Sequence, residues 1–130
     1  MIIGHAGIFV QDQSHARQFY TETLGFVLKH DIPLGNGDRW LTVVSPERPD
    51  GVELLLEPTS NPVATTIQNA LFESGVPAQM FTVDNLDAEY ERMAARGVEF
   101  TMQPTDAGSA KIADFNDTCG NLIRLMQMLG

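Results

Sequence analysis

The sequence predicts an α+β fold made of two similar halves, each a strand, then a helix, then a run of strands. Three observations lead there. Short apolar runs rich in β-formers alternate with stretches of helical period. Glycines Gly25 and Gly97 close the two main helical stretches, where a helix's last turn commonly gives way to a left-handed residue. Finally, Val10-Gln11-Asp12 through Leu24-Gly25-Phe26 matches Val83-Asp84-Asn85 through Arg96-Gly97-Val98 at an offset of about 72 residues.

The elements follow in order. Ile2 to Val10 reads as a buried strand. Asp12 or Ser14 can cap the next helix by accepting backbone N–H groups that otherwise stay unpaired. Ala16, Phe19, Tyr20 and Leu24 give that helix its apolar face. Phe26–Ile32, Trp40–Val44 and Val52–Leu56 are the strands that follow, separated by the glycine-rich turn 33–38 and by Pro46–Asp50; Pro58 ends the run. Pro62 suits a helix's first position, so Asn61–Glu73 is a short linking helix.

The pattern then restarts. Gln79–Val83 is a strand and Asp84-Asn85 a cap. Leu86–Arg96 is a helix whose inner face is Leu86, Tyr90, Met93 and Ala94. Val98–Met102, Ala110–Phe115 and Leu122–Met126 are strands, parted by Pro104–Gly108 and Asn116–Gly120. One domain therefore spans 1–130, with module one at about 1–58, the linking helix at about 61–73 and module two at about 78–130. Neither module can bury both faces of its sheet alone, so the two should pair and leave a concave surface suited to a ligand.

Composition narrows the function. With 130 residues, 43% hydrophobic and 19% charged, the chain can bury a core and reads as a soluble domain. Its 17 acidic and 8 basic side chains give a formal net charge of −9, a field that repels nucleic acid. Arg92 and Arg96 lie one turn apart but are flanked by Glu89, Glu91 and Glu99. The single cysteine, Cys119, rules out an internal disulfide and fits a reducing compartment. The amino terminus lacks a signal-peptide pattern, and no apolar run approaches membrane-spanning length, so a cytoplasmic location without membrane contact is expected.

Several residues carry a resemblance. His5-Ala6-Gly7-Ile8-Phe9-Val10, Asp12, Phe19-Tyr20 and Leu24-Gly25-Phe26, followed by Val83–Ala88, Gly97–Phe100 and Phe115–Asn121, resemble the vicinal-oxygen-chelate superfamily. That superfamily includes glyoxalase I, the bleomycin- and fosfomycin-resistance proteins and extradiol dioxygenases. The resemblance covers essentially the whole chain. It implies paired βαβββ modules, helices outside a cupped mixed sheet, a site inside the cup, and a homodimer. In metal-dependent members each module supplies one ligand from its first strand and one from its last.

Carried onto this sequence, those positions fall on His5 and Glu53 in module one, a pair suited to zinc, nickel, iron or manganese. In module two they fall on Ala78 and Arg124, neither of which can ligate. No metal cofactor is therefore expected; if one binds, its ligands are His5 and Glu53. Arg124 is expected either to pair with Glu53 across the cup or to anchor a substrate carboxylate or phosphate. A dry, unpaired arginine would cost ~3–5 kcal/mol, so one partner or the other is needed.

Candidate catalytic groups are His5, Glu53 and Arg124. Candidate ligand contacts are those three with Trp40 and Met80, although methionines such as Met80 and Met126 more often fill cores. His15 and His30 read as surface residues, and Cys119 as an unactivated thiol in a turn. Three functions stay open: metal-free binding of a small molecule, a metal-dependent lyase or dioxygenase using His5 and Glu53, and a metal-free enzyme with His5 or Glu53 as base and Arg124 holding an anion. Glyoxalase I chemistry itself is disfavoured, because it relies on the metal.

Overall fold

The computed structural model describes residues 1–130 and is α+β: two four-stranded mixed sheets with three α-helices. The chain forms two compact units, Met1–Gln68 and Asn69–Gly130. Unit one holds strands β1 (His5–Val10), β2 (Val27–Pro33), β3 (Arg39–Val44) and β4 (Glu53–Pro58), in the spatial order β1-β4-β3-β2. Unit two holds β5 (Gln79–Thr82), β6 (Phe100–Asp106), β7 (Ala110–Asn116) and β8 (Leu122–Met128), in the corresponding order β5-β8-β7-β6. In both, the first strand runs parallel to the last and the other neighbours are antiparallel. The repeat read from the sequence is thus a repeat of topology.

In unit one the first helix, α1 (Gln13–Gln18), begins where the Asp12 carboxylate accepts from the His15 N–H at 3.1 Å. It then loosens into a π-helical turn over Phe19–Thr23, where a single α-helix to about Leu24 was expected. Gly25 follows at φ +90°, a conformation a side chain would strain. Ala16, Phe19 and Tyr20 pack with Ile8, Val10, Leu41, Val43, Leu54 and Leu56 to make the core on the helix side of the sheet. Gln13 is buried with them, and its amide donates to the Arg39 and Leu56 carbonyls and accepts from the Arg39 N–H. That one side chain ties the start of α1 to β3 and β4.

An ion-pair cluster fixes the same corner. Arg39 donates twice to Asp31 at 2.8 and 3.0 Å, and Arg17 donates to it at 2.7 Å. The Arg39 bond above all, then that of Arg17, holds the Asp31 carboxyl below its ordinary range, against the opposing effect of burial.

In unit two, α3 (Leu86–Ala95) starts at Asn85, whose side chain accepts from the Ala88 N–H, while the Gln127 side chain takes the Leu86 N–H. Leu86 and Met93 face a core of Phe115, Ile123, Leu125 and Ala113, while Ala94, expected inside, is exposed. The β7–β8 turn is built on buried Asp117, whose carboxylate accepts from the Cys119 and Asn121 N–H groups and from the Asn121 amide. Helix α2 (Pro62–Glu73) starts at proline as expected and spans the unit boundary.

Two expectations are corrected. Ile2 and Ile3 are exposed and precede β1 instead of forming its buried start. Val98 lies outside β6, which instead runs through Pro104 to Asp106; the ladder shifts register between Met102 and Thr105, so the missing proline N–H breaks no regular pair. Cys119 is buried at the turn, in keeping with its reading as an unactivated thiol.

Because the folded carboxyl of Asp31 is depressed, its contribution to stability is fully present above its ordinary value of 3.8 and is lost as the pH falls through the folded value. Asp31→Asn should therefore lower stability at neutral pH, and the difference from wild type should shrink as urea titrations are taken below pH 3.8.

Candidate functional site

A strand's side chains alternate between faces, so each sheet has one face against its helix and one turned away. On the helix-free face of the first sheet, the parallel register sets His5 opposite Glu53, with Nε2 3.7 Å from Oε2. From β3, Thr42 donates its hydroxyl to Glu53 Oε1 at 2.9 Å. From β2, His30 stands opposite Thr42 and brings its Nε2 to 3.7 Å from Oε1. The Trp40 ring lies edge-on to His5, 5.8 Å between centroids, and remains 37% exposed.

The result is a largely enclosed carboxylate, 19% exposed, between two imidazoles that are 48% and 42% exposed. At 3.7 Å neither imidazole makes a hydrogen bond. Thr42 supplies the single short bond, which leaves Oε2 of Glu53 and both imidazoles with bonding capacity to spare. Glu57 shares this face and leans over β1: a Cβ at Gly7 would meet Glu57 Oε2 at 2.6 Å and displace that flexible side chain.

His5, Glu53 and Trp40 thus come together as site candidates, whereas His30, read as a surface residue, joins them unexpectedly. The reason is an irregularity in β2. Leu28 pairs with Val43 on the helix side, and a register shift before His30 turns that histidine to the other face. Strict alternation would have kept Leu28 and His30 on one face. Thr42 was legible only as a polar residue inside an apolar strand.

In the second sheet the register sets the two family-matched positions apart. Ala78 donates its N–H to Leu122 O, and Arg124 stands opposite Met80, not Ala78. Counting from Val83 as from Val10, the partner of Ala78 that matches Glu53 is Leu122, two residues before Arg124. Arg124 has its own acceptor: Nε and Nη2 donate to Asp114 at 2.8 and 3.0 Å, a bidentate pair with the neighbouring strand. Asp114 is buried, and its bonds hold the guanidinium even more firmly protonated against the desolvation that opposes it. The partner found for Arg124 is therefore Asp114, where Glu53 or a ligand was expected. Met80 is exposed, not core.

The donors for a metal are correspondingly few. No group of three or more His, Cys, Asp or Glu side chains is arranged to hold a metal ion.

A depression of about 410 Å³ lies elsewhere in unit one, around the start of α1. Several of its polar groups are engaged with neighbours: Asp12 caps α1, Ser60 donates to Asp38, and Arg39 holds Asp31 and Ser14.

Comparison with known proteins gives this geometry a context. A family model described as Glyoxalase/Bleomycin resistance protein/Dioxygenase superfamily matches residues 2–125. The uncharacterized protein YurT of Bacillus subtilis is 52% identical over 120 residues, 92% of this chain and 94% of its own. The crystal structure of UcmS2 is similar at TM-score 0.83 and 30% identity, covering 97% of both chains. TnmS3, described as an antibiotic binding protein from Streptomyces sp. CB03234, is similar at TM-score 0.77 and 29% identity, over 98% of this chain and 96% of its own.

Replacing Thr42 by valine keeps the shape but removes the one short bond to Glu53. The substitution should cost about 1 kcal/mol in urea unfolding, with an unchanged denaturant slope.

Proposed function

As the chain belongs to the Glyoxalase/Bleomycin resistance protein/Dioxygenase superfamily, we propose that it binds a small organic molecule on the helix-free face of its first sheet, without a catalytic metal. The observation that carries this reading is Glu53 itself, a largely enclosed carboxylate with one short hydrogen bond, set between His5 and His30. A ligand N–H or O–H gives Oε2 the donor it lacks, and a ligand oxygen can accept from an imidazole. Trp40 adds exposed aromatic area for the ligand's apolar body. The likeness to TnmS3, an antibiotic binding protein, supports the same class.

A second reading, a metal-free enzyme with His5 or Glu53 as general base, is favoured by the two imidazoles flanking one carboxylate. Its anion anchor is the weaker part, because the charge of Arg124 is already matched by Asp114. The donor set gives a metal-dependent lyase or dioxygenase less support than either. We further propose a cytoplasmic homodimer, which light scattering of the purified protein would report as twice the chain mass.

Protein purified without chelator should carry no stoichiometric zinc, nickel, iron or manganese. Trp40 is the only tryptophan, so its fluorescence reads this face directly. Titration with a panel of aromatic amines and phenols should quench it, and Glu53→Gln should weaken the best binder roughly tenfold. Stoichiometric metal that disappears in His5→Ala would overturn the metal-free reading.

A further inference from the structure

The second sheet carries a row of four residues in register across all its strands. Met102 stands opposite Asp114, Asp114 opposite Arg124, and Arg124 opposite Met80. Partners in a ladder share a face, so an ion pair lies at the centre of the helix-free face with a methionine on either side. The pair uses Nε and Nη2 of Arg124 and leaves Nη1 outside it. Asp114 is buried whereas the Arg124 side chain is 29% exposed, so the guanidinium is the half of the pair open to a ligand.

We propose that Asp114 makes Arg124 a donor for a neutral oxygen instead of a receptor for an anion, and that this row binds an uncharged apolar molecule through one carbonyl oxygen. The proposal rests on the reading of the chain as a small-molecule binder and names the chemistry the second sheet selects. A free guanidinium attracts carboxylates and phosphates through its charge as well as its donors. Here one carboxylate already neutralises it at hydrogen-bond distance, and the chain's formal net charge of −9 opposes a second anion. What remain are directional N–H groups, chiefly the two on Nη1, which a carbonyl satisfies without adding charge. Met80 and Met102 supply soft, polarizable surface to either side, favourable to an unsaturated apolar body. Asp114 is therefore a positioning residue, acting on the ligand only through Arg124.

Methionine-methyl carbon-13 NMR tests this, with fluorenone as the neutral carbonyl probe, fluorene as its analogue without oxygen, and fluorenone carboxylate as its anion. Fluorenone should shift the Met80 and Met102 methyl signals but not that of Met93, which is buried against the core. Fluorene and the carboxylate should each bind roughly tenfold more weakly. Arg124→Lys keeps a cation for Asp114 but loses the planar third nitrogen, and should erase the preference for fluorenone over fluorene. Asp114→Asn leaves the guanidinium charge unmatched and should turn the preference toward the carboxylate, a reversal that a purely structural role would not produce. Equal or tighter binding of the carboxylate by wild type, or an unchanged preference in Asp114→Asn, overturns the proposal. If the probes quench Trp40 yet leave Met80 and Met102 unmoved, the second-sheet inference falls while the first-sheet binding reading stands. If neither responds to these probes or to the amine and phenol panel, both fall.

Discussion

The parallel pairing of first and last strands in each half is the constraint from which the rest follows. Parallel neighbours cannot be joined by a tight turn, so the chain must leave the sheet between them, and in each unit it does so through a helix and a two-stranded hairpin. The helix packs on one face, through Phe19 and Tyr20 in the first unit and Leu86 and Met93 in the second. The other face is left to the sheet's own side chains. Polar residues there must find partners along the ladder, and which partners they find separates the two halves chemically.

In the first half, the register that aligns His5 with Glu53 also brings Thr42 and His30 to the same carboxylate. None of these contacts saturates it. In the second half, Asp114 and Arg124 meet as a two-pronged, charge-assisted pair that leaves Nη1 of Arg124 outside it. Breaking such a partly buried pair from one side strands a charge, so Arg124 is structural as well as available. The halves share topology and differ in how far their polar groups are satisfied.

Much of this was legible in the sequence. Gly25 and Gly97 marked the ends of matching helical stretches, Asn85 and Asp12 their caps, and Pro62 the start of the linking helix. His5 and Glu53 stood out as polar residues on apolar strands, and they do meet. His30, Asp114 and the true partner of Arg124 did not stand out. A single shift in β2 reverses the face of His30, and no residue type announces it. The parallel offset between β5 and β8 puts Met80, not Ala78, beside Arg124. Asp114 gave only the weak signal of a carboxylate in an apolar strand.

The sequence by itself determined the element order, the twofold repeat and the apolar faces, because these depend on local conformational preference and on the period of burial. Tertiary structure alone decided which side chains share a face and which carboxylate takes which cation. Those outcomes depend on strand register, and register is settled by the whole ladder at once: a shift of one residue leaves composition and periodicity nearly unchanged while moving a side chain to the opposite side of the sheet.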